Sequence, residues 1–334
     1  MTAWARQFRT SVTTSLTQAA VTAAPRVGPG VIDALETAVG WLGPYAPILS
    51  SVVAENMRAA GVYSPVAHRE YFARAGAHLG GVLHVLRYAH RPATGHMHPE
   101  LARLVERRIR LDDSFECLRR AAAGGKGVVL LGVHASEYML VLARINQELP
   151  ITVYLRHSRD AHKQAAKRAW CAATGLSFIA EPPGLLNPSR RAELMADALR
   201  AGRVLIVTPD LAQKRELGVP VRVLDREVYL PGGPAALSLL LEAPLVTVVA
   251  GPASEGNCYG RGLSLRFFGP APVVAVQRRR GWKKEAVRER LQWFADLFTN
   301  AFLRPHPALW FLWGDKRWTR VFRGDPRYTP PLAK

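Results

Sequence analysis

Between Gly125 and Phe268, short apolar runs rich in β-branched residues alternate with longer stretches whose apolar residues recur at helical spacing. This alternation limits the fold more than any other feature of the chain. Residues 128–133, 151–155, 176–180, 203–208, 245–250 and 263–268 read as strands. Residues 114–123, 160–174, 189–201 and 235–242 read as helices beside and between them. Strand runs without alternating polar residues fit strands covered on both faces. Strand, helix, strand with short loops requires crossover connections, which lay the strands parallel. The expected fold is α/β, with a mostly parallel central sheet flanked by helices and an N-terminal helical segment packed on it. Residues 1–110 form that segment in this reading, and 111–334 the core.

The N-terminal part is apolar at helical spacing over 31–42 and 48–60. Ser64 and Pro65 open a third helix whose face carries Tyr71, Phe72, Leu79, Val82, Leu83 and Leu86. Residues 1–29 read as a weakly amphipathic helix or a loose arm. His90, His96 and His98 follow the third helix without an acidic or cysteine partner nearby, which favours an exposed loop over a metal site. Cys117, Cys171 and Cys258 are an odd number and far apart, so no disulfide framework or metal-ligand spacing is expected, and a reducing cytosol is. No run of about 20 apolar residues predicts a membrane-spanning helix. No export signal is expected either, since Arg6 and Arg9 precede no apolar block. The last helix, 282–303, leads to an aromatic tail with Trp310, Phe311, Trp313 and Trp318, read as core packing in preference to a membrane-surface belt.

The chain carries 45 basic and 26 acidic residues, a net charge of +19. Eight of the basic residues are lysine and 37 arginine. Arginine is the better bidentate partner for phosphate and carboxylate. Such an excess fits nucleic acid, an anionic membrane surface or acidic substrates; the bias of a GC-rich genome also raises arginine together with alanine, glycine and proline. The basic residues are spread along the chain without a nucleic-acid motif, so nucleic acid is not expected as a partner.

Residues 125–142 read Gly-Lys-Gly-Val-Val-Leu-Leu-Gly-Val-His-Ala-Ser-Glu-Tyr-Met-Leu-Val-Leu. The pattern changes from strand to helix at about His134. A side chain at such a junction points into the crevice at the carboxyl edge of the sheet, where open α/β folds bind ligands. A histidine there can accept a proton near neutral pH, or it can simply cap the helix. Arg156 follows the strand 151–155 and Asp210 follows 203–208. A base, an acid that orients it and a cation can thus meet at one edge.

These residues resemble the lipid A biosynthesis acyltransferase family, within the wider glycerophosphate and lysophospholipid acyltransferases. The resemblance rests on the Gly125 to His134 segment, on Val153-Tyr154-Leu155-Arg156, on Ala198-Leu199-Arg200-Ala201-Gly202 before Pro209-Asp210, and on Leu230-Pro231-Gly232-Gly233-Pro234-Ala235. The C-terminal part is His306-Pro307-Ala308-Leu309-Trp310 with Lys316-Arg317-Trp318. It implies transfer of a fatty acyl group from an acyl carrier protein or coenzyme A thioester, as co-substrate, to a hydroxyl or amine of a glycolipid. No other cofactor and no metal is implied. A cytoplasmic location follows, with peripheral contact to the inner membrane as the finer expectation. The family's histidine matches His134, but its acidic partner five positions on is here Met139. Asp210 or Glu137 is the expected stand-in, with Asp210 preferred and Glu137 otherwise a first-turn acid compensating the helix dipole. Arg156 is expected to bind a phosphate or, failing that, to form a surface salt bridge. Gly232 and Gly233 are expected to bring a backbone N–H close to substrate oxyanion or phosphate. Met139 also leaves open a specialised acyltransferase acting on a small metabolite or a carrier-bound intermediate, and a catalytically silent relative that binds lipid or carrier protein.

Overall fold

The computed structural model describes residues 22–89, 96–155, 157–158, 160–181, 188–253, 262–272 and 282–330. Four helices come first: α1 Pro29–Leu42, α2 Pro47–Ala59, α3 Pro65–Arg87 and α4 Pro99–Arg108. The alternating part follows as β1 Ile109–Leu111, α5 Phe115–Ala123, β2 Val128–Leu131, α6 Tyr138–Glu148, β3 Ile151–Leu155 and α7 Ala161–Thr174. It continues with β4 Ser177–Ala180, α8 Pro188–Arg200, β5 Val204–Val207, β6 Val219–Val223, β7 Arg226–Leu230, α9 Gly233–Leu240, β8 Leu245–Pro252 and β9 Leu263–Phe268. The chain closes with α10 Trp282–Leu297, a π-helical turn over Phe298–Leu303 and α11 Lys316–Phe322.

The seven-stranded sheet has the order β1-β9-β8-β2-β5-β3-β4. Strands β8, β2, β5, β3 and β4 run parallel, and β9 with its parallel neighbour β1 runs against them. The fold is therefore α/β, mostly parallel and flanked by helices, with an N-terminal helical segment. All four residues of β2 are buried, because β2 lies between β5 and β8 under two helical layers. Residues 109–111 pair with Leu263–Leu265, so the N-terminal segment runs directly into the sheet's edge.

Several boundaries differ from the sequence pattern for physical reasons. The first central strand stops at Leu131 and its helix begins only at Tyr138, so His134 sits in a connecting loop rather than on a helix. Helix α4 and β1 carry no sequence signal long enough to separate them, since a ten-residue helix passes straight into a three-residue strand. His98, read as an exposed loop residue, accepts the Glu100 N–H at the start of α4 and stacks on Tyr88 at 4.5 Å. The hairpin β6–β7 turns through Leu224 and Asp225, both at positive φ, the geometry that matches the twist of two-residue hairpins. Residues 1–21 and 90–95 lie outside the described residues, and with them His90 and most of the N-terminal arm; the end of that arm, Ala24–Arg26, is a 3-10 turn whose Ala24 packs with Ile32, Leu83 and Leu86.

Helices α1 and α3 pack closely because Gly76 and Gly80 leave room: a Cβ at either would collide with Glu36, at its carbonyl or its carboxylate. That approach carries an acidic residue of α1 into the interior. At the other end of the chain Phe294, Phe298 and Phe302 stack at 5.8 and 6.1 Å, one turn apart, and Trp310 meets Phe298 edge-on at 5.4 Å. Trp310, Trp313 and Trp318 are fully buried, as expected for core. Among the described residues no single helix is long and apolar enough to cross a membrane, although α1 and α2, bent by 73°, pass as a broken pair.

Candidate active site

The site is built where two central strands end. Gly132 N–H donates to the Val207 carbonyl at 2.9 Å, so the ends of β2 and β5 stay in register. The loop from Val133 to Glu137 is then pinned by the C-terminal part of the chain. Ser136 N–H donates to the Leu309 carbonyl at 2.7 Å, and Phe311 N–H donates to that of His134 at 2.9 Å. Glu137 ends the loop in the left-handed region, φ 58°, and starts α6.

Asp210, after β5, is completely buried beside this loop. Its carboxylate accepts from the His134 ring at Nδ1 (2.6 Å), from the His134 backbone N–H (2.8 Å) and from the Trp310 indole (3.0 Å). Its main-chain carbonyl accepts the Trp318 indole N–H at 2.8 Å. With a carboxylate at Nδ1, the ring proton lies there and Nε2 holds the lone pair. Thr208 Oγ1 is 3.4 Å from Nε2. Burial pushes the His134 pKa down, the Asp210 charge pushes it up and prevails, and Arg317 opposes Asp210. The net direction is above the ordinary 6.5.

An aromatic wall stands over the pair. Tyr138 meets His134 edge-on at 5.7 Å and stacks on His78 at 5.3 Å, and His78 lies 4.5 Å from Phe311. Burial, with the His134 charge, lowers the His78 pKa to about 4, so this second imidazole is neutral at physiological pH. Below the loop, an apolar slot of about 20 Å³ lies between Val133, Tyr138, Val141 and Val248. That is room for about one water.

Glu137 faces the other way. Its carboxylate accepts from Arg108 Nη1 at 2.9 Å, and Arg108 Nη2 donates to Glu36 at 2.8 Å. Burial, with the Glu36 charge adding and Arg108 opposing, pushes the Glu137 pKa up to about 7. The structure thus puts Asp210 against His134 and uses Glu137 to tie α4 and α1 to the loop, which corrects the expectation of Glu137 as an alternative orienting acid or a solvated first-turn acid. Met139, the residue at the family's acidic position, packs partly buried against the core.

Gly232 and Gly233 do not join this pair. Gly232 precedes α9, and a Cβ there would collide with Val219 and press on Val287, so close packing accounts for this glycine. Among the described residues, no hydrogen bond links Gly232 or Gly233 to the His134 loop, in which the amides of His134, Ala135 and Ser136 are bonded to Asp210, Val133 and Leu309. Arg156 lies outside the described residues. No group of three metal-ligating side chains gathers among the described residues. The sequence pattern missed Arg108, His78 and the two indoles on Asp210. Only Arg108 left a trace, as a charge beside Val105 and Ile109, both fully buried.

No protein-family model and no curated protein matches the chain.

Proposed function

We propose that the chain is an acyltransferase that moves a fatty acyl group from a carrier-protein or coenzyme A thioester to a hydroxyl of a lipid acceptor, with His134 as general base. The observation that carries this reading is the 2.6 Å contact from His134 Nδ1 to the buried Asp210 carboxylate at the carboxyl edge of a parallel sheet. Such a contact fixes the tautomer in which Nε2 accepts a proton and stabilises the imidazolium that results. The acceptor hydroxyl gives its proton to Nε2 as its oxygen attacks the thioester carbon. The tetrahedral intermediate collapses, the C–S bond breaks, and the imidazolium returns its proton to the departing thiolate. Arg317, whose charge opposes protonation of His134, is paired with Asp315 at 3.5 Å.

The resemblance in residues 125–134, 198–210 and 306–318 supports acyl transfer over other base-catalysed reactions. Asp210 supports catalysis despite Met139, because the acid reaches His134 from another strand. A lipid acceptor and peripheral contact with a bilayer are supported by the elbow between α1 and α2, where Trp41, Tyr45 and Ile48 are 72, 75 and 81% exposed. Cytoplasmic location with inner-membrane contact belongs to the same proposal. Purified protein is incubated with acyl-coenzyme A and acyl carrier protein donors of several chain lengths, and thiol release and acylated products are followed by mass spectrometry. Turnover that disappears in His134→Ala is expected; equal turnover by both proteins would refute the assignment. Sedimentation with anionic liposomes, lost in Trp41→Ser/Ile48→Ser, tests the bilayer contact.

A further inference from the structure

Acyl transfer with His134 as base also needs a donor for the oxyanion. When the acceptor oxygen adds to the thioester carbon, an electron pair of the C=O bond moves onto oxygen, and the charge it carries must be met by a preorganised hydrogen bond. The donors grouped around the His134–Asp210 pair already have partners. The amides of His134, Ala135 and Ser136 bond Asp210, Val133 and Leu309, and the indoles of Trp310 and Trp318 bond Asp210. Arg317 pairs with Asp315 at 3.5 Å, and Arg74 of α3 with Glu70 at 3.2 Å. The Thr208 hydroxyl faces Nε2 of His134 itself.

His78 stands apart from these. Helix α3 crosses the His134 loop and is tied to it: the Tyr71 hydroxyl donates to the Phe311 carbonyl at 3.2 Å, and the Phe311 N–H donates to the His134 carbonyl at 2.9 Å. One turn on, the His78 ring packs against both aromatic neighbours of His134, stacked on Tyr138 at 5.3 Å and 4.5 Å from Phe311. A ring held by two others is fixed in place, which is what an oxyanion donor requires. Among the described residues its Nδ1 is buried and meets no hydrogen-bond partner, while the residue as a whole stays part-exposed. A proton on Nδ1 would be a buried donor without an acceptor, so the ring carries it on Nε2. The charge of His134 is felt at His78 and, with burial, keeps that ring neutral. A neutral imidazole donates a hydrogen bond without competing for the proton that the base must take.

We propose that the Nε2–H of His78 donates to the oxyanion formed on the thioester carbonyl, making His78 a catalytic residue. The inference rests on the acyl-transfer reading and deepens it by naming the oxyanion donor. The proton stays on His78 throughout. The acceptor's proton passes to His134 Nε2, the electron pair returns from the oxyanion as the C–S bond breaks, and the departing thiolate takes the proton from His134. The His78 hydrogen bond strengthens as charge builds on the oxygen, so it lowers the barrier more than it aids binding.

The test measures thiol release from acyl-coenzyme A by the full chain and by His78→Phe, His78→Gln and Tyr138→Phe, each checked for folding by its melting temperature. His78→Phe keeps a ring against Tyr138 and Phe311 and removes the donor, whereas His78→Gln sets an amide N–H in the place of Nε2–H. The expected result is a kcat lower by about 10²–10³-fold in His78→Phe, KM changed less than about threefold, and about tenfold or more of the loss recovered in His78→Gln. Unchanged kcat in folded His78→Phe overturns the proposal, as does an equal loss in His78→Gln or a loss confined to KM. Loss in Tyr138→Phe with His78→Phe unchanged also overturns it, by giving the role to the tyrosine hydroxyl. Should His78→Phe fail to fold, His78→Asn replaces it: its shorter amide reaches the place of Nδ1, and activity equal to that of His78→Gln overturns the proposal. Turnover lost in His134→Ala and kept in His78→Phe removes the oxyanion donor alone. Turnover that needs His78 and ignores His134→Ala keeps the donor and removes His134 as the base.

Discussion

Two buried charge clusters meet at the loop after β2, and they are built in opposite ways. In the first, one carboxylate, Asp210, accepts three hydrogen bonds from His134 and Trp310, leaving the imidazole 18% exposed at the crevice. In the second, one guanidinium, Arg108, is shared by two carboxylates, Glu36 and Glu137, both almost completely buried. The first matches donors to acceptors and leaves Nε2 of the imidazole facing the Thr208 hydroxyl at 3.4 Å. The second gathers several acids, Asp33 also standing 3.8 Å from Arg108, and burial first, with the Glu36 charge adding, raises the pKa of Glu137. Residues three apart in sequence therefore belong to different clusters: His134 pairs with Asp210 at the edge, while Glu137, through Arg108, ties helices to it.

Replacing His134 should give the largest effect on activity. If it is the base, His134→Ala loses about 10²–10⁴-fold in kcat, measured by thiol release on protein shown to be folded, since Asp210 also loses its ring partner. The second cluster should answer in the opposite sense. Arg108→Met leaves two carboxylates buried without their cation, and a loss of about 3–5 kcal/mol in urea unfolding is expected. A small loss there would erase the distinction between a functional and a structural cluster.

Glu137→Gln sharpens the comparison through pH. Burial raises the folded-state pKa of this carboxyl from 4.5 to about 7, so the folded protein holds the proton more tightly than the unfolded chain. Its contribution to stability is fully present below about pH 4.5, falls as the pH rises from there, and is lost by about pH 7. The Gln variant should show a flatter stability profile across that window; an unchanged slope would assign it to other groups. Trp310→Phe should have the smallest effect. It removes one donor from Asp210 while keeping most of the packed ring, and a cost of about 1–3 kcal/mol is expected in the same unfolding experiment.

The sequence showed the strands and the junction that carries His134, because runs such as Val128–Leu131 are buried on both sides and need no partner to reveal them. It also favoured Asp210, since the ends of parallel strands converge. The direction of Glu137 was not legible. A left-handed residue at the helix start turns its side chain toward Arg108, and that turn depends on α1 and α4 closing over the loop. The roles of the Trp310 and Trp318 indoles were hidden likewise, for a tryptophan in an apolar tail reads as core whether or not its N–H reaches a carboxylate a hundred residues away.

The most direct test of the His134–Asp210 account is the pH dependence of kcat/KM for thioester consumption in the parent protein and in Asp210→Asn. The Asp210 charge raises the histidine pKa in the folded protein, so activity should fall with acid through a midpoint above 6.5. Removing that charge should lower both the midpoint and the plateau. An acid limb at the same pH in both proteins would contradict the pairing as the source of the base.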